Sequence, residues 1–109
     1  MPKDALVSYE PVDADGVLRA ALDGELDLDT ADKTRDSLAE LAGTLGCRVL
    51  DVDVSQLTFI DSYALGALVS ARNTALGAGV PLRLVDPSPP VRKAIEVTGL
   101  ADVFGLAVS

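Results

Sequence analysis

Histidine is absent from the 109-residue chain, and cysteine occurs once, at Cys47. Without histidine, neither a Ser-His-Asp nor a Cys-His nucleophile can be assembled. Structural zinc needs about four Cys or His ligands, so it is excluded in practice. A lone cysteine also forbids an internal disulfide, in keeping with a reducing compartment. Cys47 lies just ahead of an apolar run and reads as a small buried hydrophobe. Aromatic residues are scarce: Tyr9, Phe59, Tyr63 and Phe104 are the whole set. The core must therefore be built from Val, Leu, Ile and Ala. Positive charge is short as well, with 9 Lys and Arg against 17 Asp and Glu, a net charge of −8. Nucleic acid and anionic membranes both require a positive footprint, so neither is expected as a partner. A basic protein surface is compatible with this charge. No apolar run approaches the ~20 residues of a membrane span. Met1-Pro2-Lys3-Asp4 opens no signal-peptide pattern, and a cytoplasmic location is expected.

What the chain does contain is enough apolar residue, 49%, to bury one core in one domain over residues 1–109. Leu6 to Glu10 alternates apolar and polar, as a strand does. An Asp-Gly turn at Asp15-Gly16 joins it to a second strand, Val17 to Leu22, forming an antiparallel hairpin. Gly24 is expected to end that strand. A helix follows, capped at Asp29 or Thr30, with Asp32 in its first turn. Its stripe of Ala31, Thr34, Leu38, Leu41, Ala42 and Leu45 predicts an end near Gly46. Val49 to Val54 is the most apolar strand, and Asp51 and Asp53 alternate with its buried set. A second helix is expected from Ser62 to about Ala78, with Leu65, Leu68, Val69 and Leu76 inward. Pro81 blocks its continuation. Leu82 to Val85 is a fourth strand. A third helix, from Val91 to Thr98, has Ser88 as candidate N-cap and Gly99 as its stop. Leu106 to Val108 is a candidate last strand. The predicted order is β-β-α-β-α-β-α-(β), an α/β fold with a parallel half and an antiparallel hairpin.

Chemistry-bearing residues are few. Ser62 sits where a strand turns into a helix, beside amides without helical partners and the positive end of the dipole. It can be a helix cap, or a hydroxyl at which phosphate is added and tolerated. Asp61 can cap the same helix or meet a basic group of a partner. Asp27 and Asp61 both lie at strand ends, where parallel sheets gather their sites. Asp51 and Asp53 lack a His or Glu to complete a metal or acid–base set. The Gly77-Ala78-Gly79 stretch has no Lys-Ser/Thr after it, so it is not a P-loop. Arg72 reads as a snorkelling side chain on the second helix.

Three segments together resemble the STAS-domain proteins that act as anti-sigma factor antagonists in bacteria. They are Gly24-Glu25-Leu26-Asp27 ahead of Thr30-Ala31, then Phe59-Ile60-Asp61-Ser62 followed by Leu65-Gly66, and finally Asp86-Pro87-Ser88-Pro89-Pro90-Val91-Arg92-Lys93 running on to Thr98-Gly99-Leu100. The resemblance covers almost the whole chain. It implies a small mixed sheet with helices packed on one side. It implies no catalytic activity and no cofactor. In the family, the serine of an Asp-Ser-(Ser/Thr)-Gly motif is phosphorylated by the anti-sigma factor itself, a serine kinase using ATP. The unphosphorylated antagonist binds that partner and frees the sigma factor, and a serine phosphatase restores binding. Carried over, Ser62 is the phosphoacceptor. Asp27, Asp61, Tyr63 and Ala64 fall in the partner-binding surface. Tyr63 stands where Ser or Thr is usual, and Ala64 where Gly is usual. The alternative function is a non-phosphorylated STAS interaction module, serving as a scaffold or a transporter-associated subunit.

Overall fold

The computed structural model describes residues 6–105. Its elements are β1 (Val7–Tyr9), β2 (Val17–Leu26), α1 (Ala31–Ala42), β3 (Val49–Ile60), α2 (Ser62–Gly77), β4 (Leu82–Val85) and α3 (Pro89–Thr98). They form one four-stranded sheet in the order β1-β2-β3-β4. β1 pairs antiparallel with β2, Val7 opposite Leu22 and Tyr9 opposite Ala20. β2–β3 and β3–β4 are parallel, as expected for strands joined through a crossover helix. The candidate strand at Leu106–Val108 lies outside the described residues. The chain just before it runs beside β4, where the Leu84 amide donates to the Phe104 carbonyl at 3.2 Å.

Alternation decides which face is covered. Leu18, Ala20 and Leu22, Leu50, Val52 and Val54, and Leu82 and Leu84 are all buried. They meet Leu38, Leu65, Leu68, Val91 and Ile95 of the helices in one core. Each such Leu, Val or Ile contributes about 1.5–3 kcal/mol by leaving water. The residues between them, Arg19, Asp51, Asp53 and Arg83, point to the other face, which none of the described helices covers. There Arg83 forks onto both oxygens of Asp51 at 2.8 and 3.0 Å. The mixed sheet with helices on one side is thus as expected.

Several boundaries differ from the sequence reading. Gly24 does not end β2. The pairing with β3 shifts register on both sides of it, and its φ of +106° is a conformation that favours glycine, so it forms a bulge and the strand continues to Leu26. Its partner β3 accordingly runs to Ile60 rather than Val54. α1 stops at Ala42 with Gly43 as its C-cap. Leu45 is therefore off the helix and 97% exposed. Leu76 is also largely exposed, and α2 buries Ala64, Leu65, Ala67, Leu68, Ala71 and Ala75 instead. That stripe is rich in small residues, which brings α2 close to both the sheet and α1. α3 begins at Pro89, with Ser88 at the N-cap position. The Ser88 hydroxyl does not cap; it donates across to the Leu57 carbonyl and ties α3 to β3.

The topology sets up one rim. Leu26, the last residue of β2, pairs with Ile60, the last of β3. The turns leading into α1 and α2 therefore leave the sheet side by side, and both helices begin at the same end of the molecule.

Candidate functional site

The rim is organised by two aspartates. Asp61, not Ser62, occupies the N-cap of α2. Its Oδ1 accepts from the Ala64 amide at 2.8 Å, which satisfies one of the orphan donors of the first turn. Its Oδ2 accepts from the Leu28 amide at 3.1 Å. One carboxylate thus caps α2 and ties it to the β2–α1 turn. Asp27 builds that turn. Its Oδ1 accepts from the Asp29 amide at 3.0 Å and the Thr30 amide at 3.3 Å. The Asp27 amide donates to Thr30 Oγ1 at 3.0 Å. Thr30 is buried and is the N-cap residue of α1, although its side chain does not cap.

Ser62 follows as the first residue of α2, exposed. Among the described residues, none hydrogen-bonds its hydroxyl. Tyr63 is 47% exposed and leans onto α1, where its hydroxyl donates to Asp32 Oδ1 at 2.7 Å. That bond is the main reason the Tyr63 hydroxyl holds its proton above the ordinary value; the charge of Asp32 adds to it. The same Oδ1 lies 3.4 Å from Arg35 Nη1, and Arg35 Nε meets Asp36 Oδ1 at 2.9 Å. An open groove of about 380 Å³ between α1 and α2 is lined by Arg35, Ser62, Tyr63, Gly66, Ala67 and Ser70.

The structure brings Asp27, Asp61, Ser62 and Tyr63 to this rim. It separates Ala64 from them: that methyl is fully buried, because the third helical position turns toward the core. Ala64 reaches the site only through its amide. Asp32 and Arg35 belong to the groove and were not singled out as site residues from sequence. Their one signal was position: Asp32 in the first turn of a helix, and Arg35 one turn later. Leu28 and Phe59, 64% and 46% exposed, add apolar surface near the turns.

Asp51 and Asp53 lie away from the rim, on the open sheet face. A larger concavity of about 480 Å³ sits there, lined by Tyr9, Glu10, Arg19, Asp51, Asp53 and Val85 among others. Asp51 is held by Arg83, and Asp53 accepts from the Ser55 amide at 2.8 Å. Among the described residues no group of three or more His, Cys, Asp or Glu is placed to hold a metal ion. Cys47 is half-buried beside the Val49 carbonyl, and burial pushes its thiol up. No helix in the described region is long and apolar enough to cross a membrane.

Chemically, the rim offers the solvent-facing Ser62 hydroxyl beside the Asp61 carboxylate. Asp61 is committed to two amides, and the chain has no histidine.

A sequence-family profile described as the STAS domain matches residues 9–109. An anti-sigma F factor antagonist of Paenibacillus polymyxa is 31% identical over 89 residues, spanning 82% of this chain and 76% of that one. Among solved structures, an anti-sigma factor antagonist from Mycobacterium paratuberculosis is 26% identical, with a TM-score of 0.75 over 94% of this chain and 86% of that one. The antagonist SpoIIAA in its unphosphorylated form shares the fold, with 22% identity and a TM-score of 0.73 over 94% of this chain and 89% of that one.

Proposed function

The chain belongs to the STAS-domain family of anti-sigma factor antagonists, and on that premise we propose that it docks an anti-sigma factor through the rim around Ser62 and is released by phosphorylation there. The observation that carries this is the Ser62 hydroxyl itself: exposed, unengaged, and fixed on the first turn of α2 by the Asp61 cap. The partner surface comprises Asp27, Asp61, Ser62 and Tyr63, with exposed Leu28 supplying apolar contact. The partner acts as the serine kinase, and a separate phosphatase resets the switch. Phosphate adds nearly two negative charges and three acceptor oxygens. The rim already carries Asp27, Asp29, Asp32 and Asp61, so a partner complementary to it meets excess charge once Ser62 is modified. Alanine at Ser62 adds no charge and leaves the cap intact.

Two measurements on the purified protein test this. Incubation with ATP and lysate of the source cells should add one phosphate to the intact mass of the wild type and none to Ser62→Ala. Ser62→Asp should weaken binding to the cognate anti-sigma factor at least about tenfold, since an unpaired charge is buried in the contact, while Ser62→Ala stays bound. Equal affinity of Ser62→Asp and wild type would rule out the switch. No added mass in either protein, with the kinase shown active, would point to an unswitched interaction module, a scaffold or transporter-associated subunit.

A further inference from the structure

Phosphate on Ser62, as the function proposed above requires, would stand at the mouth of the groove between α1 and α2. We infer that Arg35 receives it, exchanging its present carboxylate partners for the phosphate. Arg35 is the basic residue lining that groove with Ser62 and Tyr63. Its present pairs are weakly held. Asp32 and Asp36 are 57% and 72% exposed, against 35% for Arg35. Exposed pairs of this kind contribute little. A phosphate dianion offers three oxygens to a guanidinium whose five donors suit bidentate contact. The exchange strands neither carboxylate. Asp36 faces water. Asp32 keeps the Tyr63 hydroxyl at 2.7 Å on the same oxygen that Arg35 leaves. Tyr63 therefore makes Arg35 releasable. Asp61, with both oxygens engaged by amides, stays beside the new charge, and Arg35 on α1 offers a cation to offset it. The competing receiver is the pair of free amides at the start of α2.

Phosphoserine installed at position 62 during translation separates this inference from the kinase question, because no kinase is needed. The second ionisation of the phosphate, followed by phosphorus NMR against pH, is the readout. A cation at contact favours the dianion and lowers this pKa below its ordinary value of about 6. Arg35→Gln should raise it by about half a unit or more, and Arg35→Lys should fall between, having a point charge without the fork. Tyr63→Phe should raise it part of the way, because Asp32 then retains Arg35. Arg72→Gln, on α2 but outside the groove, should leave it unchanged. Identical titrations of Arg35→Gln and the unsubstituted chain, both folded by circular dichroism, would overturn the inference in favour of the amides. Equal shifts from Arg72→Gln would reduce it to bulk charge. Lack of phosphorylation in the ATP incubation would count against the switch and leave these titrations standing.

Discussion

Asp61 holds two pieces of chain with one side chain, so its substitutions should divide by chemistry. Asp61→Ala removes the cap and leaves the Leu28 amide without its acceptor. It should lower stability by about 1–2 kcal/mol in urea unfolding. Asp61→Asn keeps an acceptor for the cap and should retain most of that stability. Tyr63 gives a pH prediction. Its pKa is raised above the ordinary 10.0 by the hydrogen bond to Asp32. A raised folded-state pKa means that the latch is complete below the ordinary tyrosine range and is lost as pH rises through the raised value. In a Tyr9→Phe background, tyrosinate absorbance reports Tyr63 alone, and Asp32→Asn should move that titration down. The Asp61-Ser62 junction was legible in the sequence because a cap and the turn it caps are close in the chain. Asp32 is 31 residues from Tyr63, and spacing alone carries no sign of such a pairing.

Among the elements, those with undisturbed periodicity were readable. β4 spans the predicted Leu82–Val85, and α2 begins at Ser62 as expected. The errors came where periodicity breaks for a structural reason. The bulge at Gly24 shifts the pairing of β2 and β3, so alternation after Val54 no longer reads as a strand. Gly43 caps α1, while Leu45 carries the helical spacing on by chance into an exposed loop. Gly66 offers a test at this scale. It lies within α2, and an added Cβ there meets nothing within 4 Å. Gly66→Ala should raise stability by about 0.5–1 kcal/mol through helix propensity. Because Gly66 also lines the groove beside Ser62, the same methyl should weaken partner docking. A gain in thermal midpoint with unchanged affinity would remove Gly66 from the contact surface.

For the molecule as a whole, the small aromatic complement concentrates risk in one residue. Phe104 is fully buried, while Tyr9, Phe59 and Tyr63 are all substantially exposed. Phe104→Ala should cost about 3–5 kcal/mol, a large part of the 5–15 kcal/mol typical of a domain. Calorimetry should show a strongly lowered midpoint or no transition. The single core was legible from composition, and the one-sided layering came from the resemblance to the STAS-domain family. The gathering of Asp27 and Asp61 at one end was also legible, from their place at parallel-strand ends, but the register that sets Leu26 opposite Ile60 was not, because the Gly24 bulge shifts it. That rim has a thermodynamic consequence. The Asp61 carboxylate is anchored by both oxygens, so a phosphoester formed next door is held against a negative charge that cannot retreat. Repulsion of that kind works against the Arg35 contact inferred above, and wherever that contact is withheld it raises the free energy of the ester and makes hydrolysis more downhill. The mark would behave as a spring loaded by Asp61 and held by Arg35, and the domain would carry a bias toward being reset whenever that hold is lost.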